Sequence, residues 1–478
     1  MNTYDKYSLL KQNALIRAGK LCCDLKEAIA GTELDFTTGR LGRAIFLLSV
    51  PMALEMLMES VFAIVDIFFV SKLGPDAVAT VGITESMITL VYAIAVGLST
   101  ATSSIVSRRI GEKNQEGASA AAFQAMLTGF VISLFIAVPG FLFSRRLLQV
   151  MGASQVIVNE MWGFTAIMLG GNTVIMLLFV INAIFRSAGD ATISMRILWM
   201  ANLINMVLDP LLIFGIGPFP ELGIKGAAIA TTTGRGLAVL SQLVILVRGK
   251  KRVQLALRHI RPDWPVMKTL IRLSLGGIGQ HFIATSSWIG LVRIISIFGS
   301  TVVAGYTIAL RIIIFALLPS WGLSNAASTL VGQNLGAGQP DRAERSVLIT
   351  GRVNMIFLGT VGLILILFSE FFIRLFISDQ AVVAAGCEGL RIVSLGFIAY
   401  GFGMVLVNAL NGAGDTVSPT IINVFCYWLI EIPLAWFFSF SLGLRENGVF
   451  ISIVIAESAM TLSAFWIFRK GKWKFKQV

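Results

Sequence analysis

Twelve stretches of about 20 or more mostly apolar residues punctuate this 478-residue chain, at 44–71, 77–101, 118–143, 157–183, 192–216, 226–248, 269–297, 302–330, 346–368, 382–410, 418–440 and 448–468. Each is long enough to cross the hydrocarbon core of a bilayer. Lipid offers no partner to a bare peptide group, so an open chain crossing it must be helical. The expected fold is all-α, a polytopic membrane protein of twelve transmembrane helices with both ends of the chain on one side. Composition agrees: 56% of residues are hydrophobic, 13% are charged and the mean hydropathy is +0.82, far outside the soluble globular range. The cysteines, Cys22, Cys23, Cys387 and Cys426, form neither a disulfide framework nor a metal-ligand pattern.

A formal net charge of +12 would suit a nucleic-acid partner, but its distribution argues otherwise. Arg248, Lys250, Lys251, Arg252, Arg258, Arg261 and Lys268 crowd one loop, and Arg469, Lys470, Lys472, Lys474 and Lys476 the final segment. Both lie on the side that holds residues 1–43, whereas each short loop on the other side has at most two basic residues. The positive-inside rule then makes both termini cytoplasmic, in a plasma or inner membrane. Residues 1–43 hold no apolar core suited to a cleavable signal peptide. Their "LIRAGKLCCDLKEAI" reads as a short amphipathic helix, with little function expected there.

Laid over itself with a shift of 225 residues, the chain aligns "GLSTATSSIVSRRIGEKNQEGA" from Gly97 with "GLSNAASTLVGQNLGAGQPDRA" from Gly322. The same shift pairs Gly74 with Gly299 and "AGD" at 188–190 with "AGD" at 413–415. A single offset that matches loop glycines as well as apolar runs indicates a duplication. The expected organisation is a segment 1–43, a first six-helix lobe 44–248, a basic linker 249–268, a second lobe 269–468 and a basic tail 469–478. Six helices return the chain to its starting side, so the lobes share an orientation and are related by a pseudo-two-fold axis along the membrane normal. Two such lobes suit alternating access, which favours a transporter. The repeat leaves no room for a catalytic domain and there is no phosphate-binding P-loop; an ion gradient is the expected energy source, and no cofactor is expected.

"VDIFFVSKLG" (65–74), "NAIFRSAGD" (182–190), "DPLLIFGIGPFPELGIKGAAIAT" (209–231), "VGQNLGAGQPDRA" (331–343) and "NALNGAGD" (408–415) resemble the multidrug and toxic compound extrusion (MATE) transporters. The resemblance covers about residues 40–468. It implies an antiporter that exports drug-like, often cationic or amphiphilic, compounds against inward-moving H+ or Na+, acting as a monomer in the bilayer.

An ionised side chain at a helix centre costs about 2.5–3.5 kcal/mol on insertion scales, so such residues usually face a bundle interior or a water-filled cavity. Here they are Glu55, Glu59, Asp66, Glu85, Asp209, Arg235, Arg293, Arg311, Glu431 and Glu457. Counting from the outer helix ends, Asp66 lies about 7–8 Å and Asp209 about 10 Å deep. Thr231 on the sixth helix falls at a similar depth, with Thr232 and Thr233 as competitors. Asn205, four residues before Asp209, shares its helix face. Two carboxylates in a low dielectric resist double ionisation, so one is expected to hold a proton near neutral pH. The same oxygens with an Asn carbonyl and a Thr hydroxyl suit Na+, and no other metal is expected. Pro210 removes a backbone donor beside Asp209, which is expected to bend the helix or free a carbonyl. In the DinF-like branch that carries an aspartate in the first lobe, Asp66, Asn205, Asp209 and a threonine on helix six look like the cation-coupling residues. The NorM-like branch places an acid on the first helix of the second lobe, whereas residues 269–297 contain no Asp or Glu; a second-lobe site of that kind is not expected.

Glu55 and Glu59, one turn apart and deeper, are candidates to line the substrate cavity or to pair structurally. His281, Tyr306 and Tyr400 are further cavity candidates, with Trp288 and Trp321 able to meet an organic cation through their ring faces. Two alternatives compete with the antiporter: a flippase for a lipid-linked saccharide, and an intramembrane enzyme using Asp66 and Asp209 as acid and base. The duplication counts against the enzyme.

Overall fold

A computed structural model describes residues 23–31, 35–249 and 252–478, and these are helical with no strand among them. Twelve long helices carry the architecture: α1 (Leu41–Ser71), α2 (Pro75–Gly111), α3 (Gln115–Leu142), α4 (Ile157–Ala188), α5 (Ala191–Phe214), α6 (Ile224–Arg248), α7 (Trp264–Phe298), α8 (Ser300–Gly336), α9 (Pro340–Leu367), α10 (Gln380–Leu395 and Phe397–Gly412, bent by 55°), α11 (Val417–Ser441) and α12 (Glu446–Arg469). Among the described residues ten are individually long and apolar enough to cross a membrane, and the two parts of α10 together make an eleventh. Helix α1, 31 residues long, carries Glu55, Glu59 and Asp66. The twelve helices form two six-helix lobes; one apolar cluster lies mainly in the first, joined by Leu270 and Leu273 of α7, and another within the second.

The apolar runs locate these helices to within about six residues at each end, with one departure: α2 continues to Gly111, well past the end of its apolar run. Hydropathy measures the thickness of hydrocarbon, whereas a helix continues wherever tertiary contacts hold its polar turns. Helix α5 runs through Pro210 without a break. Of the amphipathic stretch expected near the start, residues 23–30 are helical and the remainder before them lies outside the described residues.

The duplication is visible in the backbone. Gly74 and Gly299, paired by the 225-residue shift, have φ of 101° and 105°; Gly189 and Gly414 have 93° and 87°; Lys113 and Gly338 have 59° and 71°. A left-handed φ is cheap for glycine and rare otherwise, so its recurrence at one offset marks the same turn built twice.

The lobes meet through reciprocal contacts at the end of the bundle that carries the basic loop and tail. A Cβ on Gly111 would lie 2.0 Å from the Gln333 carbonyl oxygen, and one on Gly336 would lie 2.1 Å from that of Arg108. Arg108 and Gln333 are themselves a repeat pair. Gly97 packs on Ser274 and Ile278 of α7, and its counterpart Gly322 on Met52 and Ala53 of α1. Contacts that exchange partners in this way are the signature of a two-fold interface, here between halves of one chain. Gln333 Nε2 donates to the Ser187 carbonyl (2.8 Å) and Arg108 to the Ala413 carbonyl (3.4 Å). Both flanking segments close over this end: Arg342 bonds the carbonyls of Phe36, Thr38 and Gly39, and Arg108 also reaches the Lys476 carbonyl at 2.9 Å.

Candidate functional site

The α1 helix presents its acids on a ladder, and each meets a different neighbour. Glu55, 1% exposed, accepts a hydrogen bond from Arg186 at 2.9 Å. One turn further, Glu59 accepts from Arg235 Nη2 at 3.2 Å and from Asn202 Nδ2 at 3.3 Å. Arg235 donates its other Nη to the Tyr92 hydroxyl at 3.0 Å and lies 5.5 Å from the Phe62 ring. These contacts tie α1, α2, α5 and α6 together. Two of the three α1 acids thus have a resident arginine, the arrangement that makes a buried charge tolerable.

Among the described residues the third storey has none in contact. Asp209 is fully buried, and Asn205 and Thr231 nearly so. Asn205 bridges them. With its amide oriented to satisfy both neighbours it donates to Asp209 Oδ2 at 2.9 Å, while its oxygen accepts from the Thr231 hydroxyl at 3.1 Å and the Thr231 backbone N–H at 2.9 Å. The spacing explains the match: Asn205 and Asp209 are one turn apart on α5, and α6 packs along that face. The charge that acts on Asp209 is the carboxylate of half-buried Asp66, which in turn senses Glu85 and, more weakly, Arg235. Two carboxylates, an amide and a hydroxyl without a contacting cation form a place where a proton or a hard cation balances charge.

The remaining candidates are scattered. Glu85 on α2 and Arg311 on α8 are both exposed and act on each other across the lobes. His281 and Tyr400 are half-buried. Tyr306 is 1% exposed, with its ring 5.9 Å from Phe450. In the second lobe, Glu431 ends a π-helical stretch of α11, Val424–Glu431, and accepts from Ser287 at 2.6 Å. Glu457 accepts from the Tyr427 hydroxyl at 3.1 Å. Cys23 is exposed, whereas Cys387 and Cys426 are buried and free. No group of three or more His, Cys, Asp or Glu side chains suited to a metal ion occurs among the described residues. Sequence reasoning missed Arg186 and Asn202 as partners of the α1 acids and Tyr92 as the partner of Arg235. Asn202 stands one turn before Asn205, a signal of the same stripe; Tyr92 and Arg186 left none, because their contacts depend on how α2 packs on α6 and α4 on α1.

The family model described as MatE matches residues 51–211 and, a second time, 278–437. The chain belongs to the MatE family. It is therefore a membrane transporter, not an enzyme. Among relatives, a probable multidrug resistance protein, YoeA, of Bacillus subtilis is 25% identical, covering 91% of this chain and 95% of its own. An FAD transporter of Shewanella oneidensis is 26% identical, covering 89% and 94%. A structure described as the outward-facing conformation of a multidrug resistance MATE transporter superposes with a TM-score of 0.87 at 25% identity, over 93% of this chain and 99% of that one. A MOP superfamily transporter from Pyrococcus furiosus gives 0.85 at 26% identity, over 92% and 98%. In this MatE transporter the doubled match restates the duplication, and the two-lobe, twelve-helix fold is that of its structural neighbours.

Proposed function

We propose that this MatE protein is a cation-coupled antiporter that exports small organic compounds by rocking its lobes about the central cleft, with Asp66, Asn205, Asp209 and Thr231 as the coupling set. The observation that carries this reading is the uneven supply of arginine to the acids of the first lobe. Glu55 and Glu59 are each neutralised by a contacting guanidinium, whereas the fully buried Asp209 has no contacting cation among the described residues and feels the charge of another acid, Asp66. A buried acid of that kind takes up H+ or an ion such as Na+. The loading and unloading of that charge biases the packing of α1 against α5 and α6, and so the lobes. Glu59, Glu85 and Arg311, with Tyr400 and His281 deeper, are the residues proposed to meet the cargo. Cargo chemistry ranges from drug-like cations to the flavin dinucleotide carried by the Shewanella relative.

The basic end is proposed to face the cytoplasm, in a plasma or inner membrane, because its loop and tail concentrate the lysines and arginines. The test is transport of a fluorescent organic cation by the purified protein in liposomes under an imposed pH or Na+ gradient. Gradient-driven movement is expected. Indifference to both gradients across a broad substrate panel overturns the antiporter reading.

A further inference from the structure

The guanidinium of Arg235 touches one acid storey of the first lobe and acts electrostatically on the next. It is four residues, one helical turn, from Thr231 on the same face of α6. Glu59 and Asp66 are seven residues apart on α1, two turns on one face. Arg235 is 7% exposed, bonded to Glu59 at 3.2 Å and to Tyr92 at 3.0 Å, and acts electrostatically on Asp66 and Glu85. A guanidinium keeps its charge throughout the physiological pH range. It is therefore a permanent cation one turn from a site that must gain and lose one.

We propose that Arg235 is the internal competitor of the coupling ion: it rests on Glu59 and Tyr92 while the Asp66–Asp209 site is neutralised, and turns to Asp66 when that site is emptied. This rests on the coupling reading above and adds the device that lets the ion leave. Without a substitute cation, an emptied site strands negative charge in a low dielectric, which holds the ion too tightly for turnover. With Arg235 moving across, that charge is met from within. The same movement exchanges the α6–α1 bond at Glu59 for one two turns further along α1, breaks the bond to Tyr92 of α2 and leaves Glu59 with Asn202 alone, so ion release re-registers α6 against the helices on which the lobe's shape depends. The charged and titratable groups facing the guanidinium are Glu59 and Asp66 from α1 and Glu85 and Tyr92 from α2.

The two partners of the resting pair should shift ion affinity in opposite directions. Arg235→Gln removes the competitor, so the ion concentration for half-maximal transport falls about tenfold while maximal exchange slows, the scale of one nearby charge in a partly screened site. Glu59→Gln frees Arg235 for Asp66, so that concentration rises about tenfold by the same electrostatics. The double variant should match Arg235→Gln, since no competitor remains, and Arg235→Lys should keep the unsubstituted direction of control. Protons and Na+ are the ions to vary, in liposome efflux with folding checked by size exclusion. Shifts of the same sign, no shift in either single variant, or additive behaviour in the double variant would overturn the proposal. If Arg235→Gln does not fold, Glu59→Gln and Arg235→Lys still decide it. Unsubstituted protein indifferent to both ions removes the coupling reading itself, whereas intact coupling with unshifted variants removes Arg235 alone.

Discussion

Glu55 and Arg186 in the first lobe occupy the same repeat positions as Gln280 and Asn411 in the second. The first pair is a buried ion pair at 2.9 Å; the second is two amides exchanging hydrogen bonds, both 3.0 Å. The scaffold therefore requires a polar tie between the first and fourth helices of each lobe but not a charged one. Arg235 repeats the contrast, since its counterpart is Met460, whereas Thr232 reverses it, since its counterpart is Glu457. The first lobe holds its deep acids Glu55 and Glu59 in ion pairs. The acids of the other, Glu431 and Glu457, are met by the hydroxyls of Ser287 and Tyr427. Duplication supplied one architecture, and substitution gave the halves different chemistry.

The sharpest way to break that contrast is Asp209→Asn, which should leave the protein folded but reduce gradient-driven efflux to background. Glu431→Gln combined with Glu457→Gln should hurt efflux less in the same liposome assay, and the reverse ranking would move the coupling site to the second lobe. Next, Glu55→Gln strands Arg186 and should cost about 3–5 kcal/mol of stability, the usual penalty for breaking a buried pair. Adding Arg186→Asn, which copies the second lobe, should recover most of the thermal stability lost in detergent; failure to recover would mean that the tie needs charge. A smaller effect is expected from Asn205→Ala. Loss of the hydrogen bond that Asn205 donates to the Asp209 carboxylate, about 1.5 kcal/mol, should favour the protonated acid and lower the half-saturating proton concentration roughly tenfold in the same assay. The smallest is Gln280→Ala, which should cost about 1 kcal/mol and leave ion dependence unchanged; an altered ion dependence would extend the coupling machinery into the second lobe.

Much of the fold was legible in the chain itself. The length of each apolar run and the 225-residue offset led to twelve helices in two lobes, because bilayer thickness and backbone hydrogen bonding leave few alternatives. The candidate site was partly legible: helix direction placed Asp66, Asp209 and Thr231 at similar depth, and an i to i+4 spacing put Asn205 with Asp209. Which threonine faces Asn205 was not, since neighbouring residues on a helix point about 100° apart and only the rotation of α6 against α5 selects Thr231. Pairing was also hidden. Nothing in the spacing of Glu55 and Arg186, 131 residues apart, foretells an ion pair.

By itself, then, the sequence determined that the chain spans a membrane, that it does so as two related sets of six helices, and which few ionisable groups lie at depth. Those properties follow from local hydrophobicity and periodicity. Only the tertiary structure decided which of those groups are neutralised. A charge at depth is satisfied by whatever lies within a few ångströms of it, and that is set by how helices distant in sequence rotate and cross. Glu55 and Glu59 found arginines there; Asp209 found Asn205, itself held by Thr231, and the charge of Asp66.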